Sequence, residues 1–216
     1  MGMNERQTTY TRPSLTADVV PLRFLKGRLE ILLIKRKSAP FAECYALPGG
    51  FVDANEAPAQ AAKRELVEET GLMTTDLIEL GVHGSPHRDP RGWVVSASFI
   101  GLVDPKEVAT AGDDASHVQW FPWAQLPALA FDHHEIIERA AIRLKQVSVS
   151  DTRLFQLLGP SFRTAQARHL YAQIWGQSIP PRPFKAWLRR RDAVVRVGPG
   201  RFRPNEQLKP DWLRSK

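Results

Sequence analysis

Three glutamates fall within five residues of one another in the stretch RELVEET, at Glu65, Glu68 and Glu69. On a helix that turns about 100° per residue, Glu69 lies about 40° to one side of Glu65 and Glu68 about 60° to the other. Like charges one turn apart oppose helix formation, so the cluster needs a cation. Arg64 can reach Glu68 four residues on, which leaves Glu65 and Glu69 facing each other with no basic partner on their side.

A hard divalent cation suits such a pair of carboxylates. Mg²⁺ takes carboxylate, carbonyl and water oxygens and usually also binds substrate phosphates, where it polarises a phosphoryl oxygen and activates water. The preceding LPGG segment gives close access to backbone oxygens, because its glycines carry no side chain. The alternative is a solvated acidic helix. The E-x-x-E-E spacing often occurs by chance, so taken alone it favours this alternative.

A wider pattern surrounds the glutamates and changes this balance. The spacing G-x5-E-x7-R-E-U-x-E-E-x-G-U, with U aliphatic, resembles the Nudix box at every position. It consists here of Gly50, Glu56, Arg64, Glu65, Leu66, Glu68, Glu69, Gly71 and Leu72. The resemblance implies an α/β/α sandwich that hydrolyses nucleoside diphosphates linked to another group, with Mg²⁺ or Mn²⁺ as cofactor.

The same resemblance assigns roles to individual residues of the box. It implies a catalytic group made of Glu68, Arg64 and Glu65, in which Arg64 orients a glutamate. Metal ligation falls to Glu65 and Glu69, to the backbone carbonyl of Gly50, and to Glu68 as either a further ligand or a water-orienting base. Glu56 is implied as a supporting carboxylate.

Regular elements must position this box, and the sequence predicts several of them. A helix is expected from about Pro58 to Thr70, since proline suits a first helical turn and Gly71 suits the left-handed residue that ends a helix. Strands are predicted over 18–25, 27–37, 77–85, 92–103 and 117–123, with a turn at 26–27. A second helix is predicted over 131–147, with Asp132 as its N-cap. His133 and His134 are interpreted as capping and ribose-packing residues.

Further side chains could contact a nucleotide. In the loop HRDPRG, Arg88 and Arg91 could hold phosphate oxygens in a bidentate manner, or could be solvated side chains of a turn. Phe51 could stack on an adenine or belong to the core. Asp113 and Asp114 could bring a late carboxylate to the attacking water, although turn chemistry explains them slightly better.

The charge is distributed unevenly along the chain. Residues 1–150 carry 16 Lys and Arg against 19 Asp and Glu, whereas residues 151–216 carry 14 against 4. A compact basic segment is typical of a partner with a phosphate backbone, and a solubilising surface is the alternative. We expect a boundary near 148, giving a Nudix domain over 1–148 and a basic domain over 149–216.

The C-terminal segment reads as helices followed by a β-ribbon. Helical patterns cover 151–159, 164–176 and 182–192, and two strands about a Gly-Pro-Gly turn are predicted in 193–204. This order predicts a small winged helix-turn-helix domain. Its third helix would supply the DNA-binding residues, which are Arg182, Lys185, Arg189, Arg190 and Arg191. A solvated face on an ordinary bundle is the alternative.

The segments RPSLTADVVPL, ALPGGFVD, RDPRG and LAFDHHEII are similar to two Nudix groups, and LFQLLGPSFRTAQARHLYAQIWGQSI is similar to the appended domain of the second group. One is the ADP-ribose pyrophosphatase-like branch, and the other joins a Nudix domain to a winged helix in transcriptional regulators of NAD metabolism. Two functions follow as hypotheses. The first is a metal-dependent hydrolase of ADP-ribose or a similar nucleotide, and the second is a regulator that binds double-stranded DNA and senses such a metabolite. The family also implies a homodimer.

The composition as a whole indicates a globular protein, with 43% hydrophobic and 25% charged residues among 216. No apolar run reaches the length of a membrane span, and the start MGMNERQTTY lacks the apolar stretch of a secretory signal. A single cysteine, Cys44, excludes an internal disulfide and favours a reducing compartment. We therefore expect a cytoplasmic protein with no membrane partner.

Overall fold

The computed structural model describes residues 11–74, 76–112, 115–190 and 194–205. The strands are β1 (Ser14–Leu25), β2 (Arg28–Arg36), β3 (Tyr45–Ala46), β4 (Gly49–Phe51), β5 (Leu77–His83), β6 (Val94–Leu102), β7 (Ala115–Pro122), β8 (Phe162–Arg163), β9 (Val194–Gly198) and β10 (Arg201–Pro204). The helices are α1 (Pro58–Thr70), α2 (His133–Ser150), α3 (Thr164–Trp175) and α4 (Pro181–Arg189), with a 3-10 helix at Arg153–Leu158. None of the described helices is long and apolar enough to cross a membrane.

A seven-stranded mixed sheet forms the centre of the N-terminal part. Its order is β3-β2-β1-β6-β5, with β4 paired to β1 and β7 paired to β2. β1 and β6 run parallel, and the other pairs are antiparallel. The turn between β1 and β2 has both central residues in the left-handed region, with φ of 51° at Lys26 and 81° at Gly27. This is the geometry that a two-residue hairpin requires, and it confirms the predicted turn.

Helices cover both faces of this sheet because the apolar residues of β1 alternate between them. Ala17 and Val19 are fully buried in a cluster with Leu66 of α1. Val20 and Leu22 face the opposite way, into a second cluster that includes residues of α2 such as Ile136 and Leu144. Successive side chains of a strand point to opposite faces, so one strand contributes to two cores. The predicted α/β/α sandwich with a mixed sheet is confirmed.

The C-terminal part has the predicted order of short helices followed by a β-ribbon. The 3-10 helix occupies the first predicted helical stretch, and α3 and α4 follow it. β9 and β10 form the hairpin, and β10 also pairs with β8, a two-residue strand that the sequence did not predict. Three helical segments and a three-stranded sheet make up a small winged helix, as expected.

The two parts share one hydrophobic core. Phe155, Tyr171 and Phe184 belong to the same buried cluster as Val20 and Leu22 of the central sheet. α2 runs to Ser150, past the expected boundary near 148. The division into domains at that point therefore stays a prediction, since neither the helix nor the core is interrupted there.

A side chain of the winged helix also holds the β1–β2 hairpin directly. Gln173 Oε1 accepts a hydrogen bond from the backbone N–H of Leu29 at 2.8 Å, and Gln173 Nε2 donates to the carbonyl of Gly27 at 2.8 Å. The oxygen and the nitrogen of the Gln173 side-chain amide are therefore both hydrogen-bonded to the backbone of this hairpin.

Candidate active site

α1 begins and ends where the sequence predicts. Pro58 opens it, the Gln60 side chain accepts the N–H of Ala57 at 2.9 Å, and Gly71 ends it with φ of 67°. Three of its own residues, Ala61, Ala62 and Leu66, are buried against the sheet. This packing fixes the rotation of the helix, and therefore the direction in which its glutamates emerge.

Arg64 joins three of the glutamates. Its Nε and Nη2 donate to Glu56 at 2.9 and 2.8 Å, and its Nη1 donates to Glu65 at 2.7 Å and to Glu68 at 3.1 Å. A fifth bond runs from Nη2 to the carbonyl of Phe51 at 3.0 Å. The expectation that Glu65 has no basic partner was therefore wrong, because a planar guanidinium with five donors spans more than one carboxylate.

These contacts have electrostatic consequences in both directions. The hydrogen bonds that Arg64 donates to Glu56, and next those to Glu65, raise the pKa of Arg64 above its ordinary value. The hydrogen bond from Arg64 lowers the pKa of Glu56. The guanidinium thus offsets part of the repulsion that the sequence places on one side of the helix.

Glu65 and Glu69 meet the two glycines that precede the helix. Glu69 is buried, and its Oε2 accepts the backbone N–H of Gly49 at 3.0 Å. At Gly50, a Cβ atom would overlap the carboxylate of Glu65. Glycine at this position leaves room for the Glu65 carboxylate against strand β4, which gives a physical reason for the first position of the box.

The donor set fits a divalent ion that is completed by substrate. Among the residues that the structure describes, no group of three or more His, Cys, Asp or Glu side chains is arranged to hold a metal ion. Two carboxylates, Glu65 and Glu69, line the cavity beside the Gly49–Gly50 backbone, while the Glu68 side chain is 57% exposed and lies outside the cavity lining. Mg²⁺ is commonly held by one or two carboxylates together with water and phosphate oxygens, and this set suits that mode.

A cavity of about 430 Å³ opens in front of these carboxylates. Backbone and side chains of β1, β4, α1, the end of β2 and the start of α2 contribute to its wall. The residues lining it are Thr16, Asp18, Ile34, Arg36, Lys37, Ser38, Ala39, Leu47, Gly49, Gly50, Phe51, Asp53, Arg64, Glu65, Glu69, Arg88, Asp89, Arg91, Phe131 and His133. Its size is in the range of small-ligand sites.

Arg88 lies in the wall of this cavity, bound to carboxylates. It donates from Nε and Nη2 to Asp132 at 2.8 and 2.6 Å, and its Nη2 lies 3.6 Å from Asp18. Burial disfavours its charge, but the hydrogen bonds to Asp132 raise the pKa of Arg88 overall. Its side chain is only 4% exposed, so phosphate binding by Arg88 stays a prediction.

Asp132 consequently has a different contact from the one expected. It stands at the N-cap position of α2, but its carboxylate makes no capping hydrogen bond. Both of its oxygens accept from Arg88, 44 residues earlier in the chain. A bidentate ion pair with a buried guanidinium outweighs a single bond to a helix N–H.

Arg91 and two aromatic rings form another side of the cavity. The Arg91 guanidinium binds Asp89 and lies 5.2 Å from the ring centre of Phe51 and 5.5 Å from that of Phe131. Burial alone would raise the pKa of Asp89, yet the hydrogen bonds from Arg91 lower it overall. Phe51 is 46% exposed and is not a core residue, so its predicted contact with a base stays open to test.

Asp18 was not identified from the sequence. It is buried in β1, where it accepts a hydrogen bond from Ser96 Oγ at 2.5 Å and lies 3.9 Å from His133 Nε2. A carboxylate inside the apolar strand TADVVPL was a signal, because charged residues are rarely buried without a partner.

His133 also has a contact that the sequence did not indicate. Its Nδ1 accepts the backbone N–H of Leu47 at 2.9 Å, which places the proton of the neutral ring on Nε2. Burial lowers the pKa of His133. The histidine therefore supports the LPGG segment and does not cap α2, whereas His134 is exposed beside Glu138.

The predicted DNA-binding residues share one face of α4. Arg182, Lys185 and Arg189 are exposed, as is Arg190 just after the helix, while Phe184 and Leu188 on the opposite face are buried. Arg191 lies outside the described residues, as do Asp113 and Asp114. The structure brings none of the four basic residues near the cavity.

Comparisons with known proteins agree with the box and with the C-terminal part. The NUDIX domain model matches residues 13–140. An ADP-ribose pyrophosphatase from Methanocaldococcus jannaschii is 46% identical over 129 residues, covering 60% of this chain and 73% of that protein. The ADPR responsive transcriptional repressor NtrR of Acinetobacter baylyi is 30% identical over 184 residues, covering 83% and 74%.

Solved structures extend the similarity to most of the chain. A MutT/nudix family protein from Enterococcus faecalis superposes with a TM-score of 0.84 at 32% identity, covering 93% of this chain and 89% of that one. Shewanella oneidensis NrtR, crystallised with a 27mer DNA, gives a TM-score of 0.73 at 29% identity, covering 85% and 86%. With its box assembled around one cavity and its family model matched over more than half of its length, the chain belongs to the Nudix family.

Proposed function

We propose that this protein is a divalent-metal-dependent pyrophosphohydrolase that cleaves ADP-ribose or a related nucleoside diphosphate derivative. The observation that carries the proposal is the assembly of the complete box. Arg64 holds Glu56, Glu65 and Glu68, while Glu69 holds the Gly49 backbone at the mouth of one cavity. The similarity to an ADP-ribose pyrophosphatase at 46% identity supports the choice of substrate.

The chain's own residues would divide the work as follows. Glu65 and Glu69, with the Gly50 backbone, would hold the cation, Mg²⁺ or Mn²⁺. When bound, such an ion polarises a phosphoryl oxygen and lowers the pKa of coordinated water. Arg64 keeps the carboxylates in place through its fork of hydrogen bonds. Glu68, at the solvent edge, is either a further ligand or the group that orients the attacking water.

Arg91 and Arg88 would act on the substrate phosphates. Arg91 is positioned by Asp89 and lies over the ring of Phe51 at the cavity wall. Arg88 would have to present its remaining N–H groups to a phosphate, since its Nε and Nη2 already donate to Asp132. Phe51 offers an exposed ring on which a base can stack.

Steady-state hydrolysis of ADP-ribose tests this function. Wild type should release AMP and ribose 5-phosphate with Mg²⁺ and lose activity in EDTA. Glu69→Gln should lose at least about 10²-fold in kcat, because it weakens cation binding and the hold on Gly49. Glu138→Gln, on the exposed face of α2, is the matched control and should retain full activity. Equal activity in wild type and Glu69→Gln would reject the proposal.

A second function, DNA-binding regulation, is favoured by a separate observation. Four basic residues on and just after α4 face solvent beside a β-ribbon, in the order that a winged helix uses. The relatives of similar extent include a transcriptional repressor and a structure solved with DNA. We propose that the C-terminal part binds double-stranded DNA and that the nucleotide cavity senses the metabolite that it also hydrolyses.

Fluorescence anisotropy with a labelled DNA duplex tests this second function. Wild type should bind at low salt, and Lys185→Ala with Arg189→Ala should weaken binding of any sequence, since such residues contact phosphates. Hydrolysis without detectable binding at low salt would reject the regulator. We further propose that the protein is a cytoplasmic homodimer, and light scattering on the purified chain would confirm or reject the dimer.

A further inference from the structure

Thr16 carries a buried hydroxyl in the wall of the nucleotide cavity. The residue is 6% exposed and lines the cavity. Its Oγ1 has no hydrogen-bond partner among the described residues. A buried polar atom without a partner destabilises the folded protein, so an unpaired hydroxyl at this position calls for an explanation.

Its neighbours explain why no protein group satisfies it. Thr16 pairs across the sheet with Ser96 on β6 and with Phe51 on β4. Ser96 already donates its hydroxyl proton to Asp18, and Phe51 has no polar side-chain atom. Valine has nearly the same shape as threonine and would avoid the cost. A threonine here is therefore suited to a partner that arrives with the ligand.

The chemistry around Thr16 selects the kind of partner. The same wall contains the carboxylates of Asp18 and Asp89 and the guanidinium of Arg91, and three of the cavity's acidic groups lie at the α1 end. Asp18 and Asp89 lie beside Arg88 and Arg91, so this wall offers both carboxylate acceptors and guanidinium donors. A sugar hydroxyl can donate to a carboxylate and accept from a threonine at once, whereas an ionised phosphate can only accept. The wall around Thr16 thus suits a sugar beside a diphosphate that Arg91 and the cation at the α1 end would hold.

We propose that Thr16 is a specificity-determining residue that hydrogen-bonds a ribose hydroxyl of the nucleotide. The inference rests on the proposed function, which it deepens by giving the substrate an orientation in the cavity. Because the Oγ1 atom is covered in the free protein, binding requires a rotation about χ1 that turns the hydroxyl toward the cavity. In the complex the sugar supplies the hydrogen-bond partner that the Thr16 hydroxyl lacks in the free protein.

Thr16→Val and Thr16→Ser test the proposal, with Thr164→Val as matched control. Thr164 also has a buried, unpartnered Oγ1 among the described residues, but it begins α3, away from the cavity. The substrates are ADP-ribose, its 2′,3′-dideoxyadenosine analogue and an ADP alkyl ester without the second sugar. We expect Thr16→Val to lose about 10-fold in kcat/KM on ADP-ribose, with an unchanged or raised Tm. Thr16→Ser and Thr164→Val should stay near wild type.

The analogues identify the hydroxyl and decide the outcome. The analogue that lacks the recognised hydroxyl should be hydrolysed equally by wild type and Thr16→Val. Equal losses on all three substrates, or no loss on any, would overturn the inference.

Calorimetric titration with ADP-ribose separates this result from a failure of the proposed function. If wild type binds but hydrolyses nothing, the hydrolase is rejected, and a Kd about 10-fold weaker in Thr16→Val still supports the inference. An unchanged Kd in that case, or no binding by wild type, overturns it.

Discussion

Helices α1 and α4 both carry clustered charges, but those of α1 are paired within the protein whereas those of α4 face solvent. On α1, Glu65 and Glu69 turn toward the cavity, and the glutamates are bound by Arg64 or by the Gly49 backbone. On α4 and just after it, the basic side chains point to solvent, and in the described parts of the chain none of the four has an ion pair or a hydrogen bond through its side chain. The first arrangement suits a small ligand held in fixed geometry. The second suits an extended polyanion that supplies the missing counter-charges.

The largest expected effect comes from Gly50→Ala, which strikes the α1 arrangement alone. The new Cβ would overlap the Glu65 carboxylate, so the carboxylate or strand β4 must move. We expect kcat for ADP-ribose to fall at least about 10²-fold, since small displacements of positioning groups have effects of that size. Steady-state kinetics and DNA anisotropy should be measured together. Gly84→Ala, whose Cβ would meet only Val95 at ordinary contact distance, is the control. If Gly50→Ala also lost DNA binding, the conclusion that the α1 site and the α4 face act separately would be contradicted.

Salt should separate the two helices next. Four phosphate contacts from the α4 face imply that DNA affinity falls on the order of 10²-fold between about 50 and 200 mM salt. Hydrolysis should change far less, because the α1 charges are already paired within the protein. Anisotropy and kcat/KM across the same salt series provide the measurement. A hydrolysis rate as sensitive to salt as DNA binding would show that the two sites do not differ in this way.

The same substitution in each helix sharpens the comparison. Arg64→Lys keeps the charge but loses the planar fork that reaches Glu56, Glu65 and Glu68, so kcat should fall about 10- to 100-fold. Arg189→Lys keeps a point charge facing solvent and should retain most of the DNA affinity. Kinetics and anisotropy on both variants test the pair. Arg189→Ala serves as the positive control for loss of binding, and full activity of Arg64→Lys would reject the bracing role.

The smallest expected effect is on stability at mildly acid pH. Burial lowers the pKa of His83 and of His133, so the unfolded chain takes up protons near pH 6.5 that the folded chain resists. Stability is therefore present above that pH and declines as the pH falls toward the folded pKa values. Tm measured by calorimetry should drop by about 2–4 °C for each buried histidine between pH 7.5 and 5.5. This fall in Tm should be smaller in His83→Phe than in wild type. In His134→Phe, which replaces an exposed histidine, it should be as large as in wild type.

The sequence predicted α1 well because its signals are local. Pro58 and Gly71 mark its ends, and the glutamate spacing within 13 residues sets the angles of the carboxylates. The reach of Arg64 was only half predicted, since its bond to Glu56 depends on the path of the loop before the helix. Spacing within a helix could not reveal that.

The other walls of the cavity could not be predicted from spacing. Arg88 meets Asp132 across 44 residues, and Ser96 meets Asp18 across 78. Such contacts depend on strand register, because β1 and β6 must align before Ser96 faces Asp18. Strand β8 was missed for a related reason, since two residues carry no periodicity, and only pairing with β10 makes them a strand.

The hold of Gln173 on the β1–β2 turn has a thermodynamic consequence for the whole chain. Its two hydrogen bonds add to a core that already runs from the central sheet into the winged helix. Neither half can then unfold without exposing apolar surface of the other, so heating should give a single cooperative transition with equal calorimetric and van't Hoff enthalpies. A nucleotide that stabilises the sheet would, by the same linkage, raise the melting temperature of the winged helix.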